Sequence, residues 1–165
     1  MVSAESEMKS QIDELTEEFK RLIHLNDSDW NEYIDEKDYS IQVSQQEYNA
    51  NYTFRIEFQV DAAISRVFNA FATELTNWSC VFDSVKTLKS INETTVIEHA
   101  IQKQVSEFVI ARDFINLTIR DSSTPSVQYI AYQSINFDDE YPPQNEVVRA
   151  WSYPAGVYLT TDPNE

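Results

Sequence analysis

The chain has 165 residues, 42% of them hydrophobic and 13% aromatic, enough for one domain with its own core and too few for two of ordinary size. The net charge of −16 is spread unevenly, with twelve acids and four bases in residues 1–40 and sixteen and eight in the remainder, and it argues against nucleic-acid binding and against electrostatic docking on an anionic membrane leaflet. A single glycine excludes phosphate-cradling loops, and two histidines with one cysteine, Cys80, exclude a metal site of recognisable spacing and an internal disulfide.

Met8, Ile12, Leu15, Phe19, Leu22 and Ile23 recur at spacings of three and four, opposite Asp13, Glu14, Glu17 and Glu18, which predicts an amphipathic helix ending near Asn26. Residues 1–9 read as a disordered tail, so the domain is expected over residues 10–165. Trp30, Tyr33 and Ile34 suggest a further helical turn before the acidic run Asp35 to Asp38, and a polar linker follows Val43. From Tyr52, strict alternation of Tyr52, Phe54, Ile56, Phe58 and Val60 with polar residues predicts a strand whose aromatic face lies in a core. Asp61 is placed to cap the next helix, with Ile64, Val67, Phe68, Phe71 and Leu75 as its buried stripe, and Trp78, Val81 and Phe82 form a short second helix or turn.

Beyond residue 84 the pattern is all strand: Ser84 to Ile91, Thr94 to Lys103, Asp113 to Arg120 and Val127 to Ile135, joined by short polar turns that imply antiparallel pairing. A final hairpin, Val147 to Ser152 with Val157 to Thr161, is expected to turn at Tyr153 to Gly156. The order helix, strands, helix, strands is α+β. An antiparallel sheet of this kind has an apolar face to cover, and the N-terminal helix, a partner or further chain must do it.

No catalytic constellation is legible. Cys80 has no recognisable base, and Asp138, Asp139 and Glu140 read as a solvated charge run, so the chain is expected not to be an enzyme and to need no cofactor. No segment approaches the ~20 apolar residues of a membrane span, and the lone thiol suits a reducing compartment, which places the protein in the cytoplasm.

Arg112-Asp113-Phe114 opening a strand, the strand Tyr129 to Ile135 ending in Gln-Ser-Ile, then Tyr141-Pro142-Pro143 and Val147-Val148-Arg149-Ala150 resemble, in order and spacing, the START (steroidogenic acute regulatory protein-related lipid transfer) domain. Trp78 and the Phe58-Gln59-Val60-Asp61 entry into the second helix share the likeness, and Tyr39 to Phe68 look most like the START domains of acyl-CoA thioesterases. The resemblance implies a helix-grip fold, a curved antiparallel sheet wrapped on a C-terminal helix around a lipid tunnel; the present chain is expected to end before the last strand and that lid helix.

What the resemblance implies about function is binding of a sterol, phospholipid or fatty-acyl lipid, with intracellular transfer and only transient membrane contact. The alternative is a truncated START scaffold acting as a protein-interaction or regulatory module, its missing lid replaced by a protein partner or by self-association. Sterol carriers of the family place an arginine where this chain has Thr118 and pair it with an acid near Glu98 or His99, which counts against a sterol. Alternation puts Thr118 on the side of its strand away from Ile115, Leu117 and Ile119. His99 shares a face with Ile97 and Ile101 and is a candidate polar handle. Arg112 and Asp113 are candidates to orient a ligand, Arg149 to stack on Trp151, and Tyr129, Tyr132 and Trp151 to line the cavity.

Overall fold

The computed structural model describes residues 4–44, 52–104, 106, 110–145 and 147–161. They form two compact units, one of residues up to Lys20 together with those from Ala63 onward, the other Arg21–Ala62.

In the smaller unit a 3-10 turn at Asp27–Asp29 leads into β1 (Trp30–Asp35), β2 (Tyr39–Ser44) and β3 (Phe54–Phe58), an antiparallel sheet in the order β1-β2-β3. The helical turn expected at Trp30 to Ile34 is therefore a strand. The pairing register shifts between Glu32 and Ile34, and the extra residue spaces Trp30, Tyr33 and Ile34 like a helix face. The expected facing of β3 is also overturned: Phe54, Ile56 and Phe58 are 55–61% exposed. Arg55 turns inward instead, its guanidinium 4.7 Å above the Trp30 ring and bonded to Gln42 Oε1 at 2.6 Å and to Asp27. The indole face, the Gln42 amide and the Asp27 carboxylate give the Arg55 guanidinium its partners on this side of the sheet. Strand β2 runs through Val43 to Ser44, and the rest of the linker expected after Val43, residues 45–51, lies outside the described residues.

The larger unit holds α1, which runs Ala4–Ile23 and so starts inside the stretch read as a tail, then α2 (Ile64–Ala72), α3 (Leu75–Trp78) and the strands β4 (Phe82–Ser90), β5 (Thr95–Gln102), β6 (Arg112–Thr124), β7 (Val127–Ser134), β8 (Val148–Arg149) and β9 (Ala155–Thr160). Strands β4 to β7 pair antiparallel in sequence order, β4–β5 and β6–β7 through short turns, and β9 adds to β7. Asp61 is not the cap of α2, whose N-cap is Ala63 without a side-chain bond.

The final hairpin does not form. Strand β6 extends beyond the reach of β7 at its Arg112 end, and β8 fills that edge in parallel, Arg112 beside Val148 and Asp113 beside Arg149. Gly156 consequently sits inside β9 opposite Ala131, where a Cβ would stand 2.1 Å from the Ile130 carbonyl oxygen and 2.7 Å from the Phe19 ring. It is glycine because of that close approach, not because of a turn.

Candidate functional site

Residues directly opposite in an antiparallel sheet share a face, so the register sorts the side chains of β5, β6 and β7 into two sets. One set holds Thr95, Ile97 and His99, then Asp113, Ile115, Leu117 and Ile119, then Tyr129 and Ala131. Helix α1 covers this side: Phe19 meets Tyr129 with ring centroids 5.7 Å apart and lies against Gly156, and Leu15 is fully buried. Ile97, Ile115, Leu117 and Ala131 are buried to 1% exposure or less. Ile97, Ile115 and Leu117 each contribute about 1.5–3 kcal/mol by leaving water.

Polar residues enter this core as a closed network. Asp113, with no exposed surface, accepts from Arg149 Nε at 3.1 Å and Nη2 at 3.0 Å and from His99 Nε2 at 2.9 Å. A carboxylate only accepts, so His99 Nε2–H is the donor to Asp113, and Nδ1 bonds the Tyr141 hydroxyl at 3.2 Å. Gln144 donates to that hydroxyl, and Arg149 donates further to Asp138 and to the Tyr141 carbonyl. Nearby at the end of β7 a cleft of about 180 Å³ is lined by Ile115, Asp138, Arg149 and Trp151 among others. It is smaller than the ~300 Å³ at which pockets for organic ligands begin.

The opposite set is chemically different: Val96, Glu98 and Ala100, then Phe114, Asn116, Thr118 and Arg120, then Gln128, Ile130, Tyr132 and Ser134. Glu98 is buried and pairs with Arg120 Nη2. Glu98 stands opposite Asn116, four residues from Arg120, so the two side chains reach toward each other and together span about 13 Å of strand rise, past buried Thr118. Arg120 thereby delivers to Glu98 the guanidinium that position 118 lacks. Beside Thr118 stands Tyr132, whose phenol burial pushes above its ordinary value. Asn116 accepts from Ser134 Oγ at 2.9 Å.

The structure thus divides the residues singled out from sequence. Glu98, Thr118 and Tyr132 share one face. His99, Asp113 and Tyr129 lie on the α1 side, where Arg149 joins them through Asp113 rather than stacking on Trp151. Arg112 is exposed at the start of β6, and Trp151 is 58% exposed. Arg120 and Gln128 were missed, although Asn116, Thr118 and Arg120 are the polar half of the alternation that marks Ile115, Leu117 and Ile119 as apolar.

The sequence model of the START domain matches residues 10–165. The chain belongs to the START family. Among solved START-related structures, human StAR-related lipid transfer protein 5 superimposes with a TM-score of 0.84 at 16% identity, over 95% of this chain and 76% of that one. Human STARD10 gives 0.77 at 16% identity over 89% and 60%, and the human StarD13 (DLC2) lipid transfer and protein localization domain 0.71 at 18% over 92% and 74%. No curated protein matches the sequence. At these identities the structures establish the fold: α+β, a long N-terminal helix and a curved antiparallel sheet, the helix-grip of START domains.

Proposed function

We propose that this START domain binds one lipid molecule against the Glu98–Arg120 face of its six-stranded sheet and carries it between membranes without altering it chemically. The observation that carries the reading is a paired acid and base, with Thr118 and Tyr132 beside them, set among Val96, Phe114 and Ile130 on the face that α1 does not cover. Apolar surface binds a lipid chain at about 25 cal/mol per Å² removed from water, and a few fixed polar groups orient the head. The names of the structural relatives, lipid transfer proteins among them, agree with this. The acidic surface favours brief contact with a bilayer, and among the described residues no helix is long and apolar enough to cross one. The lone thiol fits work in the cytoplasm.

A second reading has an observation of its own. The row Phe54, Ile56 and Phe58 on β3 is exposed and apolar, as a scaffold that docks another protein would present it. Native mass spectrometry of the purified chain, followed by organic extraction, separates the two. A monomer with one stoichiometric lipid supports the carrier; an empty dimer or aggregate overturns it in favour of the scaffold.

A further inference from the structure

Strand β1 is an edge of its sheet, paired among the described residues with β2 alone, and its ladder is interrupted at one point. Glu32 stands opposite Gln42 and Ile34 opposite Ile41, so Tyr33 is the extra residue of a β-bulge and belongs to no cross-strand pair. At 69% exposure it is the most exposed large apolar or aromatic side chain among the described residues. Asn31, Glu32, Asp35 and Glu36 around it are exposed as well. In the run Glu32-Tyr33-Ile34-Asp35-Glu36 three acids lie within three residues of the phenol, and no lysine, arginine or histidine occurs from Asp27 to Glu36. The other exposed tyrosines lack this setting. Tyr39 has Lys37 beside it, Tyr52 has Arg55, and Tyr153 and Tyr158 have no charged residue within three positions.

We propose that Tyr33 is a phosphorylation site for an acid-directed protein tyrosine kinase, whatever the larger sheet binds. A kinase takes its substrate as an extended segment in an open groove, and a bulged edge strand offers one without unpairing the sheet. Kinases choose substrates by charge pattern, and a basic groove selects a phenol with carboxylates on both sides. The net charge of −16, which repels nucleic acid and anionic leaflets, steers this chain toward such a groove. In the transfer, Tyr33 Oη attacks the γ-phosphorus of magnesium-bound ATP held by the kinase. The new O–P bond forms as the bond to the β,γ-bridging oxygen breaks, ADP leaves, and the phenolic proton passes to the base of the kinase. The phosphate adds a charge of about −1.5 to −2 at pH 7. Arg55 is already held by Gln42, Asp27 and Trp30, and Lys37, the nearest cation in sequence, stands between Glu36 and Asp38. The new charge therefore has no partner waiting on this segment and stays available at the surface.

The test incubates the full chain with magnesium, ATP and the catalytic domain of an acid-directed tyrosine kinase, and locates the product by intact-mass and peptide mass spectrometry. One phosphoryl group on Tyr33 is expected, and Tyr33→Phe is expected to lower the initial rate about tenfold or more. Glu32→Lys with Asp35→Lys, exposed changes that leave the phenol in place, is expected to slow transfer to Tyr33 by about the same factor while the thermal midpoint stays level. The phosphorylated chain is expected to keep its midpoint within about 2 °C of the parent's, because the bulge residue is outside the cross-strand pairs. First modification at another tyrosine, a rate indifferent to the charge reversal, or a midpoint that falls steeply on phosphorylation overturns the proposal. So does a chain left unmodified by a kinase that is active on a peptide of residues 29–38, since the fold then conceals the phenol. A kinase active on its own substrate but on neither chain nor peptide overturns it at the level of the sequence.

Discussion

Replacing Asp113 by alanine tests whether the two faces of the sheet are separate devices. Asp113 has no exposed surface and accepts three bonds of 2.9–3.1 Å, two from Arg149 and one from His99. Removing one partner of a buried charge pair costs about 3–5 kcal/mol, because the other charge is left without compensation. Here Arg149 keeps Asp138 and the Tyr141 carbonyl, which places the expected loss near the lower end, about 3 kcal/mol. For a chain of this length that lowers the thermal midpoint by about 6–12 °C and shifts the urea midpoint with no change in slope. The indole fluorescence of Trp30, Trp78 and Trp151 follows both transitions. Lipid affinity, measured at a temperature where the variant is fully folded, is expected to stay within about twofold, since Asp113 faces α1 and not the Glu98 side. A stability loss below about 1 kcal/mol, or a tenfold loss of affinity in the folded variant, would refute the division of roles.

Other changes probe the remaining parts. Arg120→Leu leaves Glu98 buried without its cation, so both lipid affinity and stability are expected to fall, whereas Arg120→Leu with Glu98→Leu recovers the stability but not the binding; urea unfolding beside a lipid titration reads this. Gly156→Ala puts a methyl group 2.1 Å from the Ile130 carbonyl oxygen, a backbone atom that cannot step aside, and is expected to cost about 1–3 kcal/mol by urea unfolding. Trimming the ring in Gly156→Ala with Phe19→Leu leaves that contact in place and does not recover the loss. Hydrogen bonds from the side chain and backbone of Ser123 hold the Asp121 carboxyl below its ordinary value of 3.8, against the upward push of burial and with help from Tyr129 and Lys20. A folded-state value below the unfolded one stabilises above the unfolded value and is lost as pH falls through the folded one. Asp121→Asn is therefore expected to be less stable than the parent at pH 7, with the gap closing below about pH 4.

Much of the fold was legible because periodicity is local. The stripe from Met8 to Ile23 needs only a 3.6-residue repeat, and polar turn residues separate β4 from β5 and β6 from β7. What escaped depends on partners distant in sequence. Trp30 to Asp35 is a strand only because β2 pairs with it, and its bulge disguises the alternation. The reversal of β3 required knowing that Trp30 waits for Arg55. Gly156 looked like a turn because glycine usually marks one, whereas its cause is the Ile130 carbonyl oxygen of the neighbouring strand, with Phe19 of a helix far back in the chain close beside it. For the site, alternation already separated Thr118 from Ile115, Leu117 and Ile119. It could not say which side α1 takes, and so His99 and Asp113 stood as ligand candidates beside Glu98.

The same strand register explains how one thin sheet serves two ends. On β6 the residues facing α1 are Asp113, Ile115, Leu117 and Ile119, all buried at 5% exposure or less, while on the other side Thr118 is equally buried and Asn116 and Arg120 are half-buried. A carrier must hold its wall still while the ligand comes and goes, and a wall one residue thick cannot gain that stillness from the side that exchanges ligand. The rigidity has to come from behind. The His99–Asp113–Arg149 network does this at the Arg112 end of β6, tying β5 and β8 to β6 with bonds that a ligand on the far face neither makes nor breaks. On the proposed lipid-binding reading, changes in lipid preference are thus expected at Glu98, Thr118 and Arg120 on the far face, where the Glu98–Arg120 pair also contributes stability, and losses of stability alone at the odd-numbered positions of β5 and β6.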